Sequence, residues 1–104
     1  MNERMSNEAT LRTRDVLECA GLELDSLVAF VHEEIVQPYG GSPEDWSFTV
    51  EMVMRVRQAQ RLQHDLELET HALALTLQLM DEVRSLRRQV RHLAALLSAD
   101  IADA

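Results

Sequence analysis

The stretch ETHALALTLQLMDEVRSLRRQVRHLAALLS, Glu69 to Ser98, decides how the rest of the chain is read. Ala, Leu, Gln, Met, Glu and Arg dominate it and no Gly or Pro interrupts it, so it is predicted to be one long helix over about 70–98. Such a helix is about 44 Å long at ~1.5 Å per residue, more than a compact domain of this size can cover. The Leu73, Leu75, Leu77, Leu79 alternation would suit a strand, but only Thr76 there is β-branched and no turn residue closes it. From Ala72 to Met80 the apolar positions nearly merge, as in a segment buried inside its own domain. Beyond that, Leu79, Val83, Leu86, Val90, Leu93 and Leu97 step 4-3-4-3-4, the seam of a coiled coil. The preceding chain is too short to cover both its own core and that seam. Dimerisation through these six residues is therefore expected over a helix that folds back on its own domain. About three heptads are too few to set parallel or antiparallel pairing.

One hundred and four residues make one small domain, and low aromatic content with abundant Ala and Leu predicts a mainly α fold. A single cysteine, Cys19, excludes an internal disulfide. Without a leader pattern or a long apolar run, a soluble, cytoplasmic protein with no membrane partner is expected.

Charge is distributed unevenly around the net −8. All ten basic residues are arginine, and none falls between Asp15 and Glu51, where nine acids lie: Asp15, Glu18, Glu23, Asp25, Glu33, Glu34, Glu44, Asp45 and Glu51. From Arg55 to Arg91 seven arginines face five acids, Asp65, Glu67, Glu69, Asp81 and Glu82. Half the chain is a negative field.

Outward from the long helix, residues 1–9 are polar and aperiodic and are expected to be disordered. Thr10 to Arg12 suits a short strand or an entry segment. Thr13 is the predicted N-cap of a short helix through Val16, Leu17 and Ala20, closed by Gly21. A second helix over about 24–33 places Leu24, Leu27, Val28 and Val31 on one face. Two short helices about a glycine turn suggest a helix-turn-helix. Ile35–Val36 is predicted as a two-residue strand, QPYGGSPED as a turn, and Trp46-Ser47-Phe48 as the returning strand of a small wing with both aromatics facing the core. Thr49 should cap a third helix that buries Val53, Val56 and Ala59 and ends near His64. Leu66 and Leu68 are expected to point inward from a connector, and Glu69 to stand before the long helix.

No catalytic constellation, cofactor loop or metal site is found. The histidines are His32, His64, His71 and His92; His64 and His71 are seven apart, about 10 Å along a helix at ~1.5 Å per residue, and no carboxylate-plus-histidine set has HExxH-type spacing. Solvated or capping histidines are expected, and Cys19 is expected to be a small buried thiol. Arg84, Arg87, Arg88 and Arg91 lie outside the seam, with Arg84 three residues from Asp81. As a DNA reader, the segment 13–34 has the architecture without the electrostatics. Its second helix carries Asp25, Glu33 and Glu34 and no lysine or arginine, so no direct nucleic-acid binding is expected, and a basic protein suits the surface better.

Several pieces resemble a known family. Leu17-Glu18-Cys19, Gly21-Leu22, Leu27-Val28, Ile35-Val36-Gln37-Pro38, Trp46-Ser47-Phe48, Arg55, Ala59, Arg61 to Leu68 and Ala72 to Val83 are together similar to the CbpM chaperone modulators, which share a winged-helix scaffold with MerR regulators. The resemblance covers about Leu11 to Leu97. It implies a MerR-like winged helix-turn-helix followed by a long dimerisation helix, a homodimer tipped toward antiparallel pairing, and a partner: the J-domain of a CbpA-like, DnaJ-family co-chaperone, whose stimulation of Hsp70 (DnaK) is inhibited. Because J-domains present a basic helix, the candidate contacts are Glu33, Glu34, Glu44, Asp45, Asp65, Glu67, Asp81 and Glu82. Glu34 and Ala72 stand where the family commonly has glycine. The alternative is a MerR-like transcription regulator contacting DNA through the arginines of 55–91, which the acids of 15–51 disfavour.

Overall fold

The computed structural model describes residues 9–103; of the disorder expected over 1–9, residues 1–8 lie outside the described residues and Ala9 instead begins a strand. The elements are β1 (Ala9–Arg12), α1 (Thr13–Ala20), α2 (Leu24–His32), β2 (Ser47–Thr49), α3 (Val50–Leu66) and α4 (Thr70–Asp103). The fold is mainly α, with a helix-turn-helix, a two-stranded wing and a long C-terminal helix. The described residues divide after Ala74 into two compact units.

In the first unit, β1 and β2 pair antiparallel, Leu11 opposite Phe48 and Arg12 opposite Ser47. On its other side Ser47 exchanges both backbone hydrogen bonds with Tyr39, at 3.0 and 3.1 Å. The strand expected at Ile35–Val36 is absent. Both residues are buried, but Glu34 turns the chain with φ 60° and Pro38 has no N–H to give a ladder, so pairing begins only at Tyr39. Ile35 is held instead by its N–H on the Phe30 carbonyl (2.9 Å) and by Arg55 Nε on its own carbonyl (3.3 Å).

Thr13 does not cap α1. The cap position is Arg12, whose N–H donates to Asp15 Oδ2 (3.0 Å), while Thr13 Oγ1 donates to the Pro43 carbonyl (2.7 Å) and ties the helix start to the wing loop. Gly21 ends α1 with φ 65°, and its N–H and that of Leu22 both reach the Leu17 carbonyl. The buried face of α2 is rotated from the expected one: Leu27 and Phe30 are buried and Leu24 is 42 % exposed. Phe30 is larger than any residue on the predicted face, and placing its ring in the core moves Leu24 to the rim.

Thr49 Oγ1 accepts from the Met52 N–H (3.1 Å) and starts α3, which buries Val53, Val56 and Ala59 as expected. The helix runs two residues past His64. That leaves Leu66 exposed and Leu68 half-buried, because α3 extends beyond Ala59, its last buried residue. Glu67 ends it in the left-handed conformation (φ 53°), and Glu69 Oε1 accepts the Ala72 N–H (2.7 Å), giving α4 an acidic cap. The core around these elements contains Trp46 and Phe48 edge to face, ring centroids 6.2 Å apart, and no charged residue among those described is buried.

In the second unit α4 runs to Asp103, five residues beyond the expected end. Leu77 is fully buried. Beyond it no described residue is, and Leu79, Val83, Leu86, Val90, Leu93 and Leu97 are 46–65 % exposed in the single chain, with Leu96 and Ile101 beside them.

The wing tip yields a stability prediction. Gly40 has φ 104°, and a Cβ there would lie 2.5 Å from the Asp45 carbonyl oxygen, whereas a Cβ on Gly41 meets nothing within 4 Å. Gly40→Ala should cost roughly 1–3 kcal/mol by strain, and Gly41→Ala should be near neutral. Urea unfolding of both variants checks this, and equal midpoints would refute the strained turn.

Candidate partner interface

Of the nine acids between Asp15 and Glu51, eight are exposed and Glu33 is half-exposed. The first unit therefore presents an acidic surface on a helix-turn-helix scaffold, with no lysine or arginine within that span to offset it. The helices that direct these side chains outward do so because Val16, Leu27 and Phe30 occupy their inner faces.

The structure sorts the eight sequence-predicted contact residues. Glu33 and Glu34 flank the turn after α2, Glu44 and Asp45 stand in the wing loop, and Asp65 and Glu67 close α3. Asp81 and Glu82 lie on α4 in the second unit. Several are engaged locally: Glu34 accepts from Gln37 (3.4 Å), Asp45 from Ser42 (3.4 Å), and Asp65 lies 3.4 Å from His64 Nδ1. Arg84 pairs with Asp81 at 3.4 Å, as the i,i+3 spacing suggested. Glu44, Glu67 and Glu82 have no side-chain partner among the described residues.

One tie was not legible in the sequence. His71 Nδ1 lies 3.1 Å from Glu33 Oε1, joining residues 38 apart, and no local pattern signals such a contact. The Glu33 carboxylate, by hydrogen bond and then by charge, raises the His71 pKa above its ordinary 6.5, with a smaller push from Glu69.

All four histidines are exposed, and no group of His, Cys, Asp and Glu among the described residues could hold a metal ion. Cys19 is exposed, not buried as expected, because α1 turns Val16 inward and leaves residues 18 and 19 on the solvent side. On α3, Val50 and Met54 are exposed in line with Arg57 and Arg61, a stripe the sequence did not single out. No helix among the described residues is long and apolar enough to cross a membrane.

A family profile described as MerR HTH family regulatory protein matches residues 11–95. The chaperone modulatory protein CbpM of Pseudomonas putida (strain GB-1) is 37 % identical over 79 residues, 76 % of this chain and 78 % of that one. The chain belongs to the CbpM family. The CbpM of Pseudomonas entomophila (strain L48) is 34 % identical over the same shares, and that of Coxiella burnetii (strain Dugway 5J108-111) is 24 % identical over 89 residues, 86 % of this chain and 84 % of its own. Membership agrees with the order of helix-turn-helix, wing and long helix. Glu34 adopts a left-handed backbone that favours glycine.

The Glu33 tie is testable by titration. A folded-state pKa raised above 6.5 means that the pair stabilises the fold fully below about pH 6.5, and that this contribution is lost as pH rises through the folded pKa. Histidine NMR should place His71 above 6.5, and Glu33→Gln should return it toward the ordinary value. A His71 pKa unchanged by that substitution would show the contact to be unimportant.

Proposed function

We propose that this chain is a chaperone modulator that binds the J-domain of a CbpA-like, DnaJ-family co-chaperone through its carboxylates and blocks stimulation of Hsp70 (DnaK). The observation that carries this reading is the exposed acidic surface of residues 15–51, borne on a scaffold whose DNA-reading relatives need cations at the same elements. α2, which would enter a major groove, carries Asp25 and neither lysine nor arginine. A duplex would be repelled there, and a basic helix attracted. The name of the relatives, chaperone modulatory protein, supports a partner within a chaperone system.

The contact pool remains Glu33, Glu34, Glu44, Asp45, Asp65, Glu67, Asp81 and Glu82, with unengaged Glu44 and Glu67 the best placed in the first unit. Reversal of neighbouring acids in pairs, Glu44→Lys with Asp45→Lys and Asp65→Lys with Glu67→Lys, should weaken J-domain binding. A charge truncated at a desolvated centre costs roughly 2–5 kcal/mol, and a rim charge mainly changes association rate and salt dependence. Calorimetry across salt, on variants shown to be folded by circular dichroism, decides it. Parent-like, salt-insensitive affinity in every folded variant would sink the acidic mechanism.

The same reading includes a homodimer. Six seam residues left roughly half exposed on one helix form an apolar stripe that water disfavours, and a second copy supplies a matching stripe. Leu86→Asp with Leu93→Asp should give a monomer in sedimentation, since a buried unpaired carboxylate costs several kcal/mol. A folded dimer of that double variant would place the interface elsewhere.

A further inference from the structure

A groove of ≈ 310 Å³ opens in the first unit between the turn joining α1 to α2 and the outer half of α3. Half-buried Leu22 contributes apolar surface, Phe30 lies almost wholly buried behind it, and Glu23, Ser26, Gln60 and Gln63 contribute polar groups. Glu23 was not among the contacts expected from sequence.

The hydrogen bonds made around this groove leave several acceptors open. Gln63 Nε2 donates to the Leu68 carbonyl (3.0 Å) and reaches Thr70 Oγ1 (3.5 Å). A carbonyl can only accept, so these contacts fix the amide with its nitrogen engaged and leave its oxygen as a free acceptor. The Glu23 backbone carbonyl takes the N–H groups of Ser26 and Leu27 (3.1 and 3.2 Å), while its carboxylate has no partner among the described residues. Ser26 Oγ is likewise unengaged. His64 also lines the groove, but its Nδ1 lies toward Asp65, at 3.4 Å. What remains open is the Glu23 carboxylate, the Gln63 amide oxygen and the Ser26 hydroxyl, beside the Gln60 amide, which offers both donors and an acceptor.

We infer that this groove is a binding slot for a single arginine side chain presented by the basic helix of the partner. This rests on the reading of the protein as a ligand of a basic helix and names where one of its side chains is held. A guanidinium matches the slot on three counts. Its five N–H donors meet acceptors at Glu23, Ser26 and Gln63, its charge meets the Glu23 carboxylate, and its weakly hydrated plane and methylene stem cover Leu22. A lysine ammonium, compact and strongly hydrated, satisfies fewer acceptors and leaves more of the apolar surface wet.

The probe is Nα-acetyl-arginine amide, titrated into the full chain while the Gln60 and Gln63 side-chain amide resonances are followed by NMR. Its neutral isostere, Nα-acetyl-citrulline amide, is the control. Saturable shifts with the arginine derivative are expected, at least tenfold weaker with citrulline and lost in Ser26→Leu, which fills the groove. Absent shifts, equal shifts with citrulline, or shifts unchanged in Ser26→Leu overturn the slot. In a second arm, calorimetry with the purified J-domain should show at least fivefold weaker binding to Glu23→Gln and to Ser26→Leu, with Glu23→Asp recovering most of the affinity. If the parent binds the J-domain and both variants bind within twofold of it, the slot is wrong and the partner reading stands. If the arginine derivative binds as described and the J-domain does not bind the parent, the slot stands and the partner reading fails.

Discussion

Burial of two phenylalanines, Phe30 and Phe48, sets the geometry of the first unit. Removing either ring would cost roughly 3–5 kcal/mol, a large share of the ~5–15 kcal/mol that holds a small domain folded. Phe30 sets the rotation of α2 about its axis. Phe48 sets which side of β2 faces inward, and Trp46, two residues earlier, follows it and meets it edge to face. With the inner faces assigned, the acids of α1, α2 and the wing have nowhere to go but outward. The acidic surface is the counterpart of the core.

The turns between these elements carry backbone conformations their residues do not favour. The non-glycine residues of positive φ among those described are Glu34 and Glu67, both in the proposed contact pool. A non-glycine residue in this region costs roughly 1–2 kcal/mol, which glycine would avoid. At both turns, glutamate places a carboxylate where the chain reverses and a side chain stands clear of the surface. Gln63 stabilises the second of these turns, its backbone carbonyl accepting from Leu68 and its side chain donating back to the same residue.

The chain matches a profile of HTH regulatory proteins, so the sign of its surface bears on what the scaffold can attract. Phosphate neutralisation needs lysine and arginine along the recognition helix and wing. Here those elements carry carboxylates, and the same shape that fits a groove presents an acidic ridge instead. Of the arginines, Arg12 ends β1, Arg14 lies in the first turn of α1, Arg55, Arg57 and Arg61 lie on α3 and four more lie on α4. α2 carries none of them, while Arg57 and Arg61 form a cationic stripe on α3.

Element order, the Gly21 turn, the Thr49 cap, the α3 core stripe and the long helix were all determined by the sequence. Each depends on local chemistry: backbone freedom at glycine, a hydroxyl one position before a helix, and apolar spacing at 3.6 residues per turn. The acidic character of residues 15–51 was legible for the same reason, since charge is a property of composition. Tertiary structure alone decided the rest. Thr13 abandoned a cap for the Pro43 carbonyl, Ile35–Val36 packed into the core without becoming a strand, and Cys19 and Leu66 faced water. His71 met Glu33 across 38 residues, and Glu23, Ser26 and Gln63 gathered around one groove. These outcomes turn on which distant group is within reach once the large side chains are buried, and spacing along one segment carries no information about that distance.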